Sequence, residues 1–166
     1  MNKSKSILML LAGMFMATAF TSCDDDNGKV TLPEQTTVKY YLSVSPDFLQ
    51  FYDITVSYKT AAGIEQTATV TTSPWKFQET VNGRYYIYKF NTTATLKTPY
   101  TIPADQKEFT FQWNSSAYFT NNTASNTYSY NPTEYVFNET METLQEFFDK
   151  HASIKLTEFE GDKTPK

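Results

Sequence analysis

The chain has little of what most enzyme chemistry needs. Among its 166 residues there is one cysteine and one histidine. A lone cysteine excludes an intramolecular disulfide, so an exported domain of this sequence must hold itself by its core. A lone histidine, His151, excludes an H-E-x-x-H zinc site and any multi-histidine metal centre. No G-x-S-x-G elbow, P-loop or dinucleotide fingerprint occurs. Glycosidase carboxylates lie far apart in a chain and leave no local signature, and no carboxylate pair stands out here. No apolar run reaches the ~20 residues a spanning helix needs. The expectation is a protein with no catalytic residues, no metal and no cofactor.

Glycine is also scarce, at five residues, against 12 tyrosines and 13 phenylalanines. Threonine is abundant. That is the composition of strands. Basic charge is the last shortage. The first 22 residues hold Lys3 and Lys5, so the remainder has 14 − 2 = 12 basic residues against 18 acidic ones, a net of −6. This argues against nucleic acid and anionic lipid headgroups as partners.

What is present begins with a tether. Lys3 and Lys5 precede an apolar run from Ile7 to Phe20, the length of a signal-peptide core. Thr21 and Ser22 follow, then Cys23 and Asp24-Asp25-Asp26. Phe20-Thr21-Ser22-Cys23 resembles the lipobox of bacterial lipoproteins. The resemblance implies cleavage before Cys23, acylation of that residue and attachment to a membrane. The run Asp24, Asp25, Asp26 is similar to the acidic export signal that follows the lipid cysteine in outer-membrane lipoproteins displayed at the cell surface. Without the resemblance, the same three aspartates read as a solvated linker. Spaced as they are, they lack the pattern of an EF-hand calcium loop.

Removing 22 residues leaves 166 − 22 = 144, enough for one domain with its own core. The expected layout is a signal at 1–22, the lipidated cysteine and acidic linker at 23–28, a folded domain at 29–160 and a flexible tail at 161–166. Within the domain, 29–32 reads as a short strand. From Thr37 to Ser45 the chain alternates strictly. Val38, Tyr40, Leu42 and Val44 take one face, and Thr37, Lys39, Tyr41 and Ser43 the other. Period two with one apolar face is a half-buried strand. Ser45-Pro46-Asp47 reads as a turn. Tyr52 to Lys59 and Gln66 to Thr71 repeat the alternation.

Asn82-Gly83 is the strongest local signal. A two-residue hairpin turn needs positive φ at both positions, which Asn-Gly supplies. Folding there sets Val81 against Arg84, Phe77 against Tyr88, Trp75 against Phe90 and Lys76 against Lys89. Glu108 to Trp113 is a further strand. Residues 114–131 are rich in Asn, Ser, Thr and Tyr and keep no period, so a long loop is expected, with a short strand at Tyr128 and Tyr130. Tyr135 to Phe137 reads as a strand. Met141, Leu144, Phe147, Phe148 and His151 share one face of an amphipathic helix spanning Glu139 to His151. His151 fits the last turn of that helix, where the dipole favours it. A final strand holds Ile154 and Leu156. The N-x-S/T matches at Asn91, Asn114, Asn121 and Asn138 are coincidences of a Thr-rich chain.

Many short alternating strands with one late helix predict a mainly β antiparallel sandwich carrying one short C-terminal amphipathic helix. The pattern is similar to the immunoglobulin-like domains of surface lipoproteins. The candidate site is the polar and aromatic stretch from Trp113 to Tyr135. Trp113, Tyr118, Tyr128 and Tyr130 would form a stacking platform, and Asn114, Asn121 and Asn122 the hydrogen-bonding contacts, a mix also used by antibody paratopes. A second reading of Trp113 stands beside this one: it continues the Phe109–Phe111 face and belongs to the core. The expected function is a cell-surface, non-catalytic module that binds a glycan or a protein. The alternative is a structural subunit that packs on another envelope protein.

Overall fold

The computed structural model describes residues 33–122, 126–131 and 134–162. The expected signal, Cys23, Asp24, Asp25, Asp26 and the short strand at 29–32 lie outside the described residues.

The elements run β1 (Gln35–Val44), α1 (Pro46–Phe51), β2 (Tyr52–Lys59), β3 (Glu65–Val70), β4 (Trp75–Asn82), β5 (Ile87–Leu96), β6 (Glu108–Asn121), β7 (Asn126–Tyr130), β8 (Tyr135–Thr140), α2 (Leu144–Lys150) and β9 (Ser153–Asp162). The fold is mainly β, with two antiparallel sheets. One has the order β4-β1-β6-β7, with β8 also paired to β6, and the other the order β3-β2-β5-β9. At Trp113, β6 pairs with both Val44 of β1 and Tyr135 of β8. From Ala117 to Asn121 it pairs with both β1 and β7. A strand has two edges, so β7 and β8 share the edge of β6 that β1 leaves.

Alternation decides which side chains meet. In β1, Val38, Tyr40, Leu42 and Val44 are buried, as period two requires of a strand with one dry face. Tyr40 stacks on Phe90 of the other sheet, ring centroids 5.0 Å apart. Phe48 and Phe51 of α1 and Phe147 and Phe148 of α2 complete an aromatic core around Tyr52 and Phe111. Burying each of these rings stabilises by roughly 1.5–3 kcal/mol before entropy is charged against it. Tyr40 and Tyr52 bury their rings but keep their hydroxyls satisfied, donating to the carbonyls of Lys59 at 2.9 Å and His151 at 3.0 Å.

Five sequence expectations change. First, Asn82-Gly83 does not close a hairpin. β4 pairs with β1, and β5 with β2 and β9. Gly83 does take a positive φ of 117°, but the chain then crosses to the other sheet. The buried hydroxyl of Thr36 holds that crossing: it donates to the Gly83 carbonyl at 2.9 Å and accepts from the Tyr85 amide at 3.0 Å. Trp75 still meets Phe90, across the two sheets, with centroids 6.0 Å apart and rings within 9° of parallel. Lys76 stands opposite Tyr41, and Lys89 opposite Glu160, so the expected lysine pair does not form.

Second, residues 114–121 are not loop. β6 continues to Asn121, alternating between buried and wetter positions along its whole length. Third, Ser45-Pro46-Asp47 opens α1 rather than a plain turn. Proline is suited to the first turn of a helix, and Asp47 then ties α1 to β6 by accepting from the Thr110 amide at 2.6 Å. Fourth, residues 139 and 140 belong to β8, and α2 begins only at Leu144. Fifth, Gly161 and Asp162, expected in the tail, extend β9 opposite Tyr88 and Ile87.

Candidate functional site

The seven residues proposed from sequence separate into three groups. Trp113 points inward. It is 5% exposed, and its indole N–H donates to the Leu156 carbonyl at 3.0 Å, linking the two sheets. That carbonyl is available because β9 is irregular there: Thr92 faces Thr157 and Thr93 faces Lys155, which leaves Leu156 as an extra residue. Tyr128 and Tyr130 are half-buried. Tyr128 stacks on Tyr88 at 5.5 Å and Tyr130 packs on Phe159 at 5.8 Å. Burial raises the phenol pKa of Tyr130, with Tyr135 and Glu158 adding to it. These three rings serve the core and its border.

Two asparagines are structural. Asn121 is buried and donates to Thr36 at 3.1 Å. Asn122 accepts from the Gln35 amide at 2.7 Å and donates to the Pro33 carbonyl at 2.9 Å, fastening the start of β1. Asn114 and Tyr118 lie on the outward face of β6. Asn114 is exposed and lines a small cleft with Ser43, Gln112 and Glu134.

Tyr118 belongs to a larger surface that the sequence reading did not single out. The outer face of the five-stranded sheet carries a recess of about 440 Å³. Its floor is set by strand register. Gln78, Lys39, Tyr118 and Ser129 form one row across β4, β1, β6 and β7. Lys76, Tyr41 and Ser116 form the next, and Asn131 closes the rim. A third row, Thr80, Thr37, Thr120 and Thr127, lies beyond. It is stitched by hydroxyl contacts of 2.9 Å between Thr37 and Thr80 and 3.1 Å between Thr120 and Thr127.

Two cations sit on two rings in this recess. The Lys39 ammonium lies 5.6 Å from the centre of the Tyr118 ring, and that of Lys76 lies 5.7 Å from the Tyr41 ring. Both are within the ~6 Å reach of a cation–π contact. No aspartate or glutamate lines the recess. It therefore combines half-buried aromatic faces, amide and hydroxyl groups and two lysines without a carboxylate partner among the described residues. The signal for it was present in the strict alternation of 37–45, which puts Lys39 and Tyr41 on the wet face together.

His151 takes no part. Its ring stacks on Phe147 at 4.5 Å, and Nδ1 lies 3.0 Å from the Phe147 carbonyl oxygen at the end of α2. Among the described residues, no three His, Cys, Asp or Glu side chains gather to hold a metal, and no helix is long and apolar enough to cross a membrane. Comparison with family models, with curated proteins and with solved structures finds no match.

Proposed function

We propose that this protein is a non-catalytic, lipid-anchored module of the outer-membrane surface that binds a glycan on the outer face of its five-stranded sheet. In this reading Cys23 carries the lipid, and Asp24, Asp25 and Asp26 direct export and give the domain reach. The observation that carries the binding claim is the recess over Tyr41 and Tyr118. Tyrosine rings offer flat apolar faces to a sugar's C–H groups, while Gln78, Ser116, Ser129 and Asn131 offer hydrogen bonds at fixed heights on a rigid sheet. The immunoglobulin-like classification belongs to the same proposal. Its support is the way the chain changes sheet between β1 and β2, β3 and β4, β4 and β5, β5 and β6, and β8 and β9.

The test is a glycan array probed with the full-length chain in detergent. Binding to one polysaccharide class that fades in Tyr41→Ala and Tyr118→Ala, with the fold intact by circular dichroism, supports the module. A blank array contradicts it. One observation favours a rival, an assembly subunit of the envelope. Among the described residues β8 pairs with β6 alone, and it exposes Tyr135 and Val136, with Met141 exposed next to it. An edge strand with apolar side chains is a ready template for another chain. Crosslinking on intact cells that captures one defined partner through β8, together with a blank array, would support the rival.

A further inference from the structure

The recess favours one chemical class of glycan. In a chain of net charge −4, the residues lining this recess present two ammonium groups and no carboxylate. Four other cations do find acidic partners. Lys89 meets Glu65 at 2.5 Å, Lys150 meets Glu146 at 2.6 Å, Lys155 meets Glu158 at 2.8 Å and Arg84 meets Glu34 at 3.9 Å. Lys39 and Lys76 instead rest on the very rings that a sugar would stack on. An exposed contact of this kind is weak and easily exchanged for a better partner. A neutral sugar would have to displace each ammonium and offer it hydroxyl oxygens but no counter-charge. An anionic sugar supplies the missing counter-charge: the ammonium swings off the ring onto the anion, and the same event uncovers the ring. Lys39 and Lys76 are diagonal neighbours on adjacent strands, because Lys39 faces Gln78 while Lys76 faces Tyr41. One short anionic segment lying across β4 and β1 therefore meets both.

We infer that the glycan taken by this face is acidic, a polysaccharide carrying carboxylate or sulfate groups, with Lys39 and Lys76 as its anion contacts and Tyr41 and Tyr118 as its stacking surfaces. The inference rests on the glycan-binding reading above. Its test compares matched pairs of polymers by titration calorimetry on the full-length chain. The pairs are polygalacturonate with its carboxyl-reduced form, and dextran sulfate with dextran. Polyphosphate serves as an anion without sugar.

The expected result is binding to an acidic polymer, at least tenfold weaker to its neutral partner, and weaker by about tenfold in each of Lys39→Gln and Lys76→Gln, the scale of one charge-assisted contact. Polyphosphate should bind no better than the neutral polymers. Equal binding to both members of a pair, untouched by the lysine variants but lost in Tyr41→Ala and Tyr118→Ala, would overturn the acidic specificity and leave the glycan module standing. Polyphosphate binding as tight as the best polysaccharide would overturn it as well, reducing the face to a charge patch. Binding to nothing in this set or on the array would remove both claims. Lys39→Gln and Lys76→Gln alter exposed side chains, so their fold can be checked by an unchanged melting curve.

Discussion

The two outward sheet faces share one architecture and differ in how their charges are used. On the β3-β2-β5-β9 sheet the outward positions hold threonines and charged residues, several of which pair with one another. Lys89 engages Glu65, Lys155 engages Glu158, and Asn91 donates to Glu160 at 2.9 Å. No aromatic ring lies among its described outward positions. On the β4-β1-β6-β7 sheet the outward lysines rest on tyrosines and meet no carboxylate. A surface whose polar groups satisfy one another has little to gain from a ligand. A surface whose cations sit on aromatic rings has both a counter-charge and a stacking partner still to gain. The difference arises from side chains alone, since both faces are set by the same period-two alternation.

The largest expected effect separates inward from outward positions on a single strand. Trp113→Ala should destabilise the fold by about 3–5 kcal/mol, the usual cost of truncating a buried tryptophan. Tyr118→Ala, five residues along β6 on the other face, should leave stability within about 0.5 kcal/mol. Chemical denaturation of both variants checks this. Similar losses in the two would erase the distinction between dry and wet faces of β6.

The layer between the faces predicts an alkaline limit. Burial raises the phenol pKa of Tyr40 and Tyr52 above the ordinary 10.0. A folded-state pKa above the unfolded one means that the folded state resists ionisation. The associated stability is complete below pH 10 and is lost as pH rises beyond it. Each tyrosine should contribute up to about 1.4 kcal/mol of loss per pH unit above that point. Denaturation midpoints measured from pH 8 to 11.5 should fall only in the upper part of the range, and less steeply in Tyr40→Phe. A flat profile would contradict the burial of these hydroxyls.

A sharper contrast comes from matched outward substitutions. Tyr118→Ala should weaken glycan binding at least tenfold, about 1.4 kcal/mol, while Thr93→Ala on the other sheet should not change it. The smallest effects concern the paired face. The side-chain hydrogen bond with Lys89, helped by its charge, holds the Glu65 carboxyl below the usual carboxylate range. Its contribution is present above the ordinary carboxylate pKa and disappears as pH falls through the lowered one. Glu65→Gln should therefore shift the melting temperature slightly at neutral pH, by an amount that shrinks as the pH is lowered into the acid range.

Much of this was legible in the chain. The alternation of 37–45 identifies both the buried row of β1 and the wet row that carries Lys39 and Tyr41. The continuation of β6 was obscured because its inward positions include Ser115 and Asn121, both buried. Polar residues at dry positions erase hydrophobic periodicity even though Trp113, Ala117 and Phe119 keep the beat. The Ser115 hydroxyl has no hydrogen-bond partner among the described residues, nor do those of Thr92 and Thr157, so nothing in the sequence announces their burial. The chain does bend at Gly83. A turn motif states only that the chain bends, and Thr36, far away in sequence, decides that it lands in the other sheet. The recess was missed because it is assembled from four strands, each contributing one or two outward side chains.

The central claim is that the outer face of the β4-β1-β6-β7 sheet is where the ligand sits. Amide NMR of the full-length chain in detergent, titrated with the tightest glycan from the array, tests it most directly. The account predicts that shifts concentrate at 39–41, 76–78, 116–118 and 129–131, with the β3-β2-β5-β9 sheet unmoved. Shifts centred on β8 or on the paired face, or no shifts at saturating glycan, would contradict it.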